Sequence, residues 1–157
     1  MREKIVRRVK GAELAGLRYR PMFECFAGRR AAFPATYTVL LASFVSAESG
    51  TGVVHMAPGF GEDDFATCLE AGVISETDVP CPVDESGRFV EPVSMLGLLG
   101  KYVKDADASI IRDIEERGRL FLRSTLTHSY PFCWRSDTPL LYRAVPCWFV
   151  RGVGIRG

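Results

Sequence analysis

The sequence has few of the residues from which metal centres and disulfide frameworks are built. Its 157 residues include two histidines and five cysteines, and no two cysteines form a CxxC pair. His128 and Cys133 could share a metal, but two scattered donors do not make the four ligands of a structural zinc site. An odd set of cysteines without framework spacing (Cys25, Cys68, Cys81, Cys133, Cys147) points to free thiols in a reducing compartment. Charge of one sign is not in excess either. With 20 Lys+Arg against 19 Asp+Glu, the formal net charge is +1, so no global field draws the chain to nucleic acid and any RNA contact must be local. No run of about 18 apolar residues could cross a bilayer, and the opening MREKIVRRVKG lacks the apolar stretch of a signal peptide. The expectation is a soluble, cytoplasmic protein with no membrane partner. Internal repeats and low-complexity segments are also missing.

What is present fits one compact domain: 47% of the residues are apolar, and a chain of this length can bury well over half of its unfolded surface. Basic residues cluster early, at Arg2, Lys4, Arg7, Arg8 and Lys10, then at Arg18, Arg20, Arg29 and Arg30. Such a run is either a solvated face or a phosphate contact.

The coarse elements follow from periodicity. Lys4 to Leu17 has mixed spacing that a short strand or a helical turn would satisfy equally. Thr36 to Ser46 (TYTVLLASFVS) is β-branched and aromatic, which predicts a strand. A second strand is predicted at Gly52 to Met56, after the turn signal Ser49-Gly50-Thr51-Gly52. From Glu62 the period changes: Phe65, Cys68 and Leu69 fall at i, i+3 and i+4, acids occupy the start, and Gly72 stands where a helix would stop. A second helix is predicted from Asp107 to Arg117, with Ile110, Ile111 and Ile114 on one side, Asp105 or Asp107 as N-cap and Gly118 as terminator. Between them, VPCPVDESGRFVEPVSMLGLLG reads as a hairpin or irregular excursion around Glu85-Ser86-Gly87. Phe121 to Val150 reads as short strands and turns.

The segment that carries chemistry is GTGVVHMAPGFGEDD (Gly50 to Asp64). His55 ends a predicted strand, Asp64 lies in the first turn of a predicted helix, and Pro58, Gly59 and Gly61 allow the chain to reverse between them. The two side chains could then meet across one small cleft. A strand, a glycine-rich loop and a helix N-terminus usually suggest phosphate binding. Here Glu62, Asp63 and Asp64 would repel a phosphate, while the helix N-terminus helps keep a carboxylate ionised. The arrangement suits a cation, such as a primary ammonium held by Asp64 with a polar group beside it. The competing reading is structural: acids at a helix start also serve the helix dipole, and a single histidine beside a strand is often structural.

The longer string GTGVVHMAPGFGEDDF (Gly50 to Phe65) resembles a signature of the editing domain inserted into isoleucyl-tRNA synthetases. THSYPFCWRSDTPLLYRAVPCWFV (Thr127 to Val150) is similar to the segment by which that family's chain returns to its catalytic core. KYVKDADASIIRDIEERGRLF (Lys101 to Phe121) and KGAELAGLRYRPMF (Lys10 to Phe23) also look like the family. Only RGVGIRG (Arg151 to Gly157) departs from it. The resemblance implies an editing-domain portion over 1–126, a returning segment over 127–150 and an atypical tail over 151–157. It implies an α+β fold, with mixed strands forming a small β-barrel-like domain and short helices packed on it.

The resemblance also implies roles. The residue matching Asp64 binds the α-ammonium of a mischarged amino acid, and the one matching His55 lies beside the substrate and the terminal ribose. Hydrolysis of valyl-tRNA(Ile) would use a positioned water and no cofactor, ATP being needed only by the full-length parent. The implied partners are the tRNA(Ile) acceptor end carrying valine and the rest of the synthetase chain. Editing is needed because one methylene separates isoleucine from valine by only about 10 to 200-fold, a limit for which this family is the usual illustration. Gly59 could let backbone approach the substrate and Phe60 could supply a pocket wall, although Phe60 serves equally as core packing. The family's opposite wall, a Thr-rich strand with a Trp-Thr-x-Pro run, has no match here, since Thr36 and Thr38 are too sparse. HIGH-type and KMSKS-type sequences are absent too. A non-catalytic tRNA-binding or interaction fragment is therefore the alternative reading. Trp134, Arg135 and Asp137 are expected to form a structural clasp around a buried Trp.

Overall fold

The computed structural model describes residues 5–48, 51–93, 97–125, 127 and 129–148. Its two α-helices lie where the apolar spacing puts them. Helix α1 spans Glu62–Glu70 and carries Glu62, Asp63 and Asp64 in its first turn, where carboxylates oppose the positive end of the helix dipole. Cys68 is its buried residue. Helix α2 spans Asp107–Glu116, and Ile110 packs against the core.

Both helices stop in the same way. After α1, the Gly72 N–H donates to Leu69 O (3.1 Å) and the Val73 N–H to Cys68 O (2.8 Å). After α2, the Gly118 N–H donates to Glu115 O (2.8 Å) and the Arg119 N–H to Ile114 O (3.0 Å). These paired bonds define a Schellman stop, and its left-handed residue is glycine in each case, at φ 69° and 64°. The start of α2 differs from the sequence expectation. Its N-cap is Ala106, with no side-chain cap bond, rather than Asp105 or Asp107. The reason is local: a 3-10 turn over Val103–Asp105 runs directly into the helix, and Ala106 is fully buried with helical backbone, leaving no extended cap position.

Between the helices the chain makes a small antiparallel meander. Val83 bridges Phe89, and Arg88 bridges Tyr102. The Asp84 carboxylate accepts from the Ser86 and Arg88 N–H groups at 2.8 and 2.9 Å, which fixes the turn predicted at Glu85-Ser86-Gly87. Phe89 carries this meander into the core formed by Val93, Leu98 and Ala106, with Cys25 and Ile110 packed against it. The opening segment resolves to a 3-10 turn over Gly11–Leu14, held by Glu13 accepting from the Lys10 N–H.

The strands predicted at Thr36 to Ser46 and Gly52 to Met56 are not formed. The first pairs only around Thr38, which bridges Arg18. Leu41, Phe44, Val53 and Val54 are exposed. A strand needs a partner edge, and among the described residues none is offered to 40–46 or to 52–56. The accessible surface totals 13144 Å², against roughly 7,900 Å² for a compact monomer of this mass. Stability therefore rests on few buried residues. Leu98→Ala should cost about 2–5 kcal/mol in urea denaturation, whereas Val53→Ala should stay within about 0.5 kcal/mol.

Candidate functional site

The loop before α1 is organised by one side chain. Asp64, in the third position of the helix, reaches back along the chain and its Oδ2 accepts from the Ala57 N–H at 2.8 Å. The Phe60 N–H donates to Ala57 O, also at 2.8 Å, so residues 57–60 form a closed turn under the carboxylate. Gly61 is the N-cap, with extended backbone and no side chain to offer, and the Asp64 carboxylate lies just beyond the position its Cβ would take. The reach of Asp64 thus satisfies a loop donor much as a capping-box acid would.

Gly59 is buried at the centre of this turn. A Cβ there would lie 2.6 Å from Pro80 O and 3.4 Å from Cys81 Cβ, closer to the backbone oxygen than a side chain can come. Its own carbonyl accepts from the Ala144 N–H at 2.8 Å. Gly59 therefore lets three segments meet: the loop, the proline-rich stretch before the meander, and the chain near 144. The close approach it permits here is to Pro80. Phe60 is half-buried.

His55 is exposed and forms no hydrogen bond or ion pair with a described residue. It and Asp64 are not joined directly, since the Asp64 bond goes to Ala57. Gly50 lies outside the described residues. Ala57, Pro80, Cys81 and Ala144 were not singled out from sequence. The only pointer to Pro80 and Cys81 was the proline spacing of VPCP, and a backbone donor such as Ala57 leaves no mark in residue type.

Burial, reinforced by the Asp64 carboxylate, pushes the Cys68 thiol up to about 11, so Cys68 is a neutral packing group and no thiolate nucleophile. Hydrogen bonding at Ser136 and Arg135 lowers the Cys133 thiol instead. Metal ligation by His128 with Cys133 lies outside the described residues, and among those described no three His, Cys, Asp or Glu side chains converge as ligands. No described helix is long and apolar enough to cross a membrane.

The clasp expected at Trp134 is corrected. Trp134 is 85% exposed, and its contact is the Arg135 guanidinium, 4.6 Å from its ring. The surrounding chain is a small hairpin, with Phe132 bridging Pro139, Cys133 N–H donating to Thr138 O and Asp137 at φ 51°. It brings no second layer over the indole. The same segment is tied to the rest by Arg143, which pairs with Glu85 at 3.6 Å.

No family model matches the chain. Over 149 residues it is 51% identical to the cytoplasmic isoleucine–tRNA ligase of Mus musculus, a stretch covering 94% of this chain and 12% of that protein. It is 53% identical over 150 residues to the cytoplasmic enzyme of Saccharomyces cerevisiae, covering 94% and 14%. The isoleucine–tRNA ligase of Bdellovibrio bacteriovorus is 48% identical over 147 residues, covering 94% and 13%. Nearly all of the chain is thus homologous to one segment of an aminoacyl-tRNA ligase. Those ligases are the isoleucine enzymes, and the chain spans only 12 to 14% of their length.

The thiol environments generate a prediction. Thiolate is the form that alkylates, so a raised pKa suppresses reaction at a given pH and a lowered one promotes it. Peptide mapping after iodoacetamide treatment should find Cys133 modified below pH 9 and Cys68 spared until the pH nears 11 or the chain unfolds.

Proposed function

We propose that the chain supplies one wall of the editing site of an isoleucine–tRNA ligase, hydrolysing valine from mischarged tRNA(Ile) in support of the parent's ligation of isoleucine. The observation that carries this reading is the half-buried Asp64 carboxylate, anchored through Oδ2 to the Ala57 N–H, with Oδ1 free of any described partner. An anion fixed in this way is ready to take the α-ammonium of an aminoacyl group without first being ordered.

In the proposed reaction a positioned water attacks the ester carbonyl carbon. The bond from that carbon to the ribose oxygen breaks, and the proton lost by water is returned to the departing ribose hydroxyl. Valine and uncharged tRNA are the products. His55, exposed and unpaired among the described residues, is free to contact the ribose. Gly59 holds the loop's shape through Pro80, and Phe60 supplies apolar surface beside it. The exposed apolar residues at Leu41, Phe44, Val53 and Val54 suit a chain that completes an α+β, barrel-like domain with the remainder of the synthetase. No cofactor enters the hydrolysis. The cytoplasmic ligases of Mus musculus and Saccharomyces cerevisiae suggest a cytoplasmic parent.

The test is a chimera in which this chain replaces the matching segment of the Saccharomyces enzyme. The chimera should deacylate valyl-tRNA(Ile), and Asp64→Ala should slow this by roughly 100-fold or more while isoleucylation persists, as expected for losing a charge-assisted contact in a positioned complex. Unchanged clearance by that variant would refute the assignment of Asp64.

A further inference from the structure

The early basic cluster is not used by the editing reading, and part of it lines a cleft. The Tyr19 N–H donates to Tyr37 O at 3.0 Å and the Val39 N–H to Leu17 O at 2.8 Å, so two extended segments lie side by side around the Arg18–Thr38 bridge. Beside this ladder is a cleft of about 370 Å³ whose lining includes Arg18, Tyr19, Arg20, Arg30 and Tyr37, within the ~300–1,000 Å³ typical of ligand sites.

Three features distinguish it from a solvated face. First, the guanidinium groups are not neutralised: among the described residues neither Arg18, Arg20 nor Arg30 pairs with a carboxylate, and Arg18 and Arg30 rest on the backbone carbonyls of Pro34 and Thr36. Glu24 is the acid in the lining, against three arginines. Second, aromatic rings are interleaved with these charges. Tyr19 and Tyr37 meet edge to face at 5.9 Å, Arg30 lies 5.5 Å over the Tyr37 ring, and Tyr19 is 47% exposed. Burial pushes both phenols up, so neither brings negative charge at neutral pH. Third, the backbone is strained at this place: Tyr37 has φ 61°, unfavourable for a bulky residue. The neighbouring Thr36 Oγ1 is buried and meets no hydrogen-bond partner among the described residues.

We propose that this cleft binds single-stranded RNA, with Arg18, Arg20 and Arg30 taking backbone phosphates and Tyr19 stacking on a base. Unpaired arginines alternating with an accessible ring are the chemistry of single-strand recognition, in which phosphate contacts supply affinity and every base offers a face to stack. An acidic polypeptide would use the arginines but not the ring.

The experiment is fluorescence anisotropy of the 157-residue chain with a labelled single-stranded RNA of roughly ten nucleotides, titrated from about 50 to 200 mM salt. Three phosphates predict a slope of log K against log salt near −2, and Arg20→Gln should make it shallower by about 0.7. Tyr19→Ala should weaken binding roughly tenfold with the slope kept, and Tyr19→Phe should restore it. Arg112→Gln, on the exposed face of α2, should bind like the unaltered chain, and circular dichroism should show every variant folded. Absence of binding, variants at Tyr19 and Arg20 that behave like Arg112→Gln, or displacement of the RNA by polyglutamate at equal charge would each overturn the proposal. The readout is independent of deacylation, because the RNA carries no amino acid, so loss of editing and loss of binding are separable results.

Discussion

The hydrogen bond from the Ala57 N–H to Asp64 Oδ2 is the constraint on which the loop before α1 depends. A bond to a charged acceptor is worth about 1.5–3 kcal/mol, and this one closes a turn whose interior has no side chain at Gly59 or Gly61 to brace it. With the turn closed, Gly59 can sit against Pro80 O and accept from Ala144, so one bond sets the relation of three stretches distant in sequence. The same bond orients the carboxylate. Fold and proposed chemistry therefore share a single group: the oxygen that braces the loop leaves the other available to a ligand.

Around that junction the structure is thinly packed. Among the described residues, six apolar ones, Cys68, Ile74, Val83, Val93, Leu98 and Ala106, form the buried set, while rings as large as Phe121 and Trp148 are fully exposed. An autonomous domain of this mass would cover such groups, since burial of apolar area is the main force opposing chain entropy. In the relatives the matched stretch is 12 to 14% of an isoleucine–tRNA ligase, so there the groups that correspond have a much longer chain beside them. Short-range devices carry much of what order there is: two Schellman stops, the Asp84 turn and the pair between Arg117 and Asp113.

Those local devices are what residue order reveals. The helices, their terminating Gly72 and Gly118 and the turn at Glu85-Ser86-Gly87 depend on neighbours within a few positions, so their signals survive in the sequence. The strands depend on partners far along the chain. Thr36 to Ser46 has the composition of a strand, yet only the part near Thr38 finds an edge, and Val53 and Val54 find none. Trp134 misled for a related reason: its residue type favours burial, but burial needs a second layer that the hairpin does not bring. At the candidate site Asp64 and the bend at Gly59 were legible. The bond to Ala57 and the approach to Pro80 were not, because backbone groups are the same at every position.

The proposed recognition of an α-ammonium by Asp64 is tested most directly by calorimetry on the Saccharomyces chimera. The ligand would be a non-hydrolysable valyl-adenosine amide, compared with the same compound lacking its amino group. The account predicts that removing the ammonium weakens binding by roughly 10 to 100-fold, and that Asp64→Asn abolishes the difference between the two compounds. Equal affinities for both ligands in the unaltered chimera would contradict it.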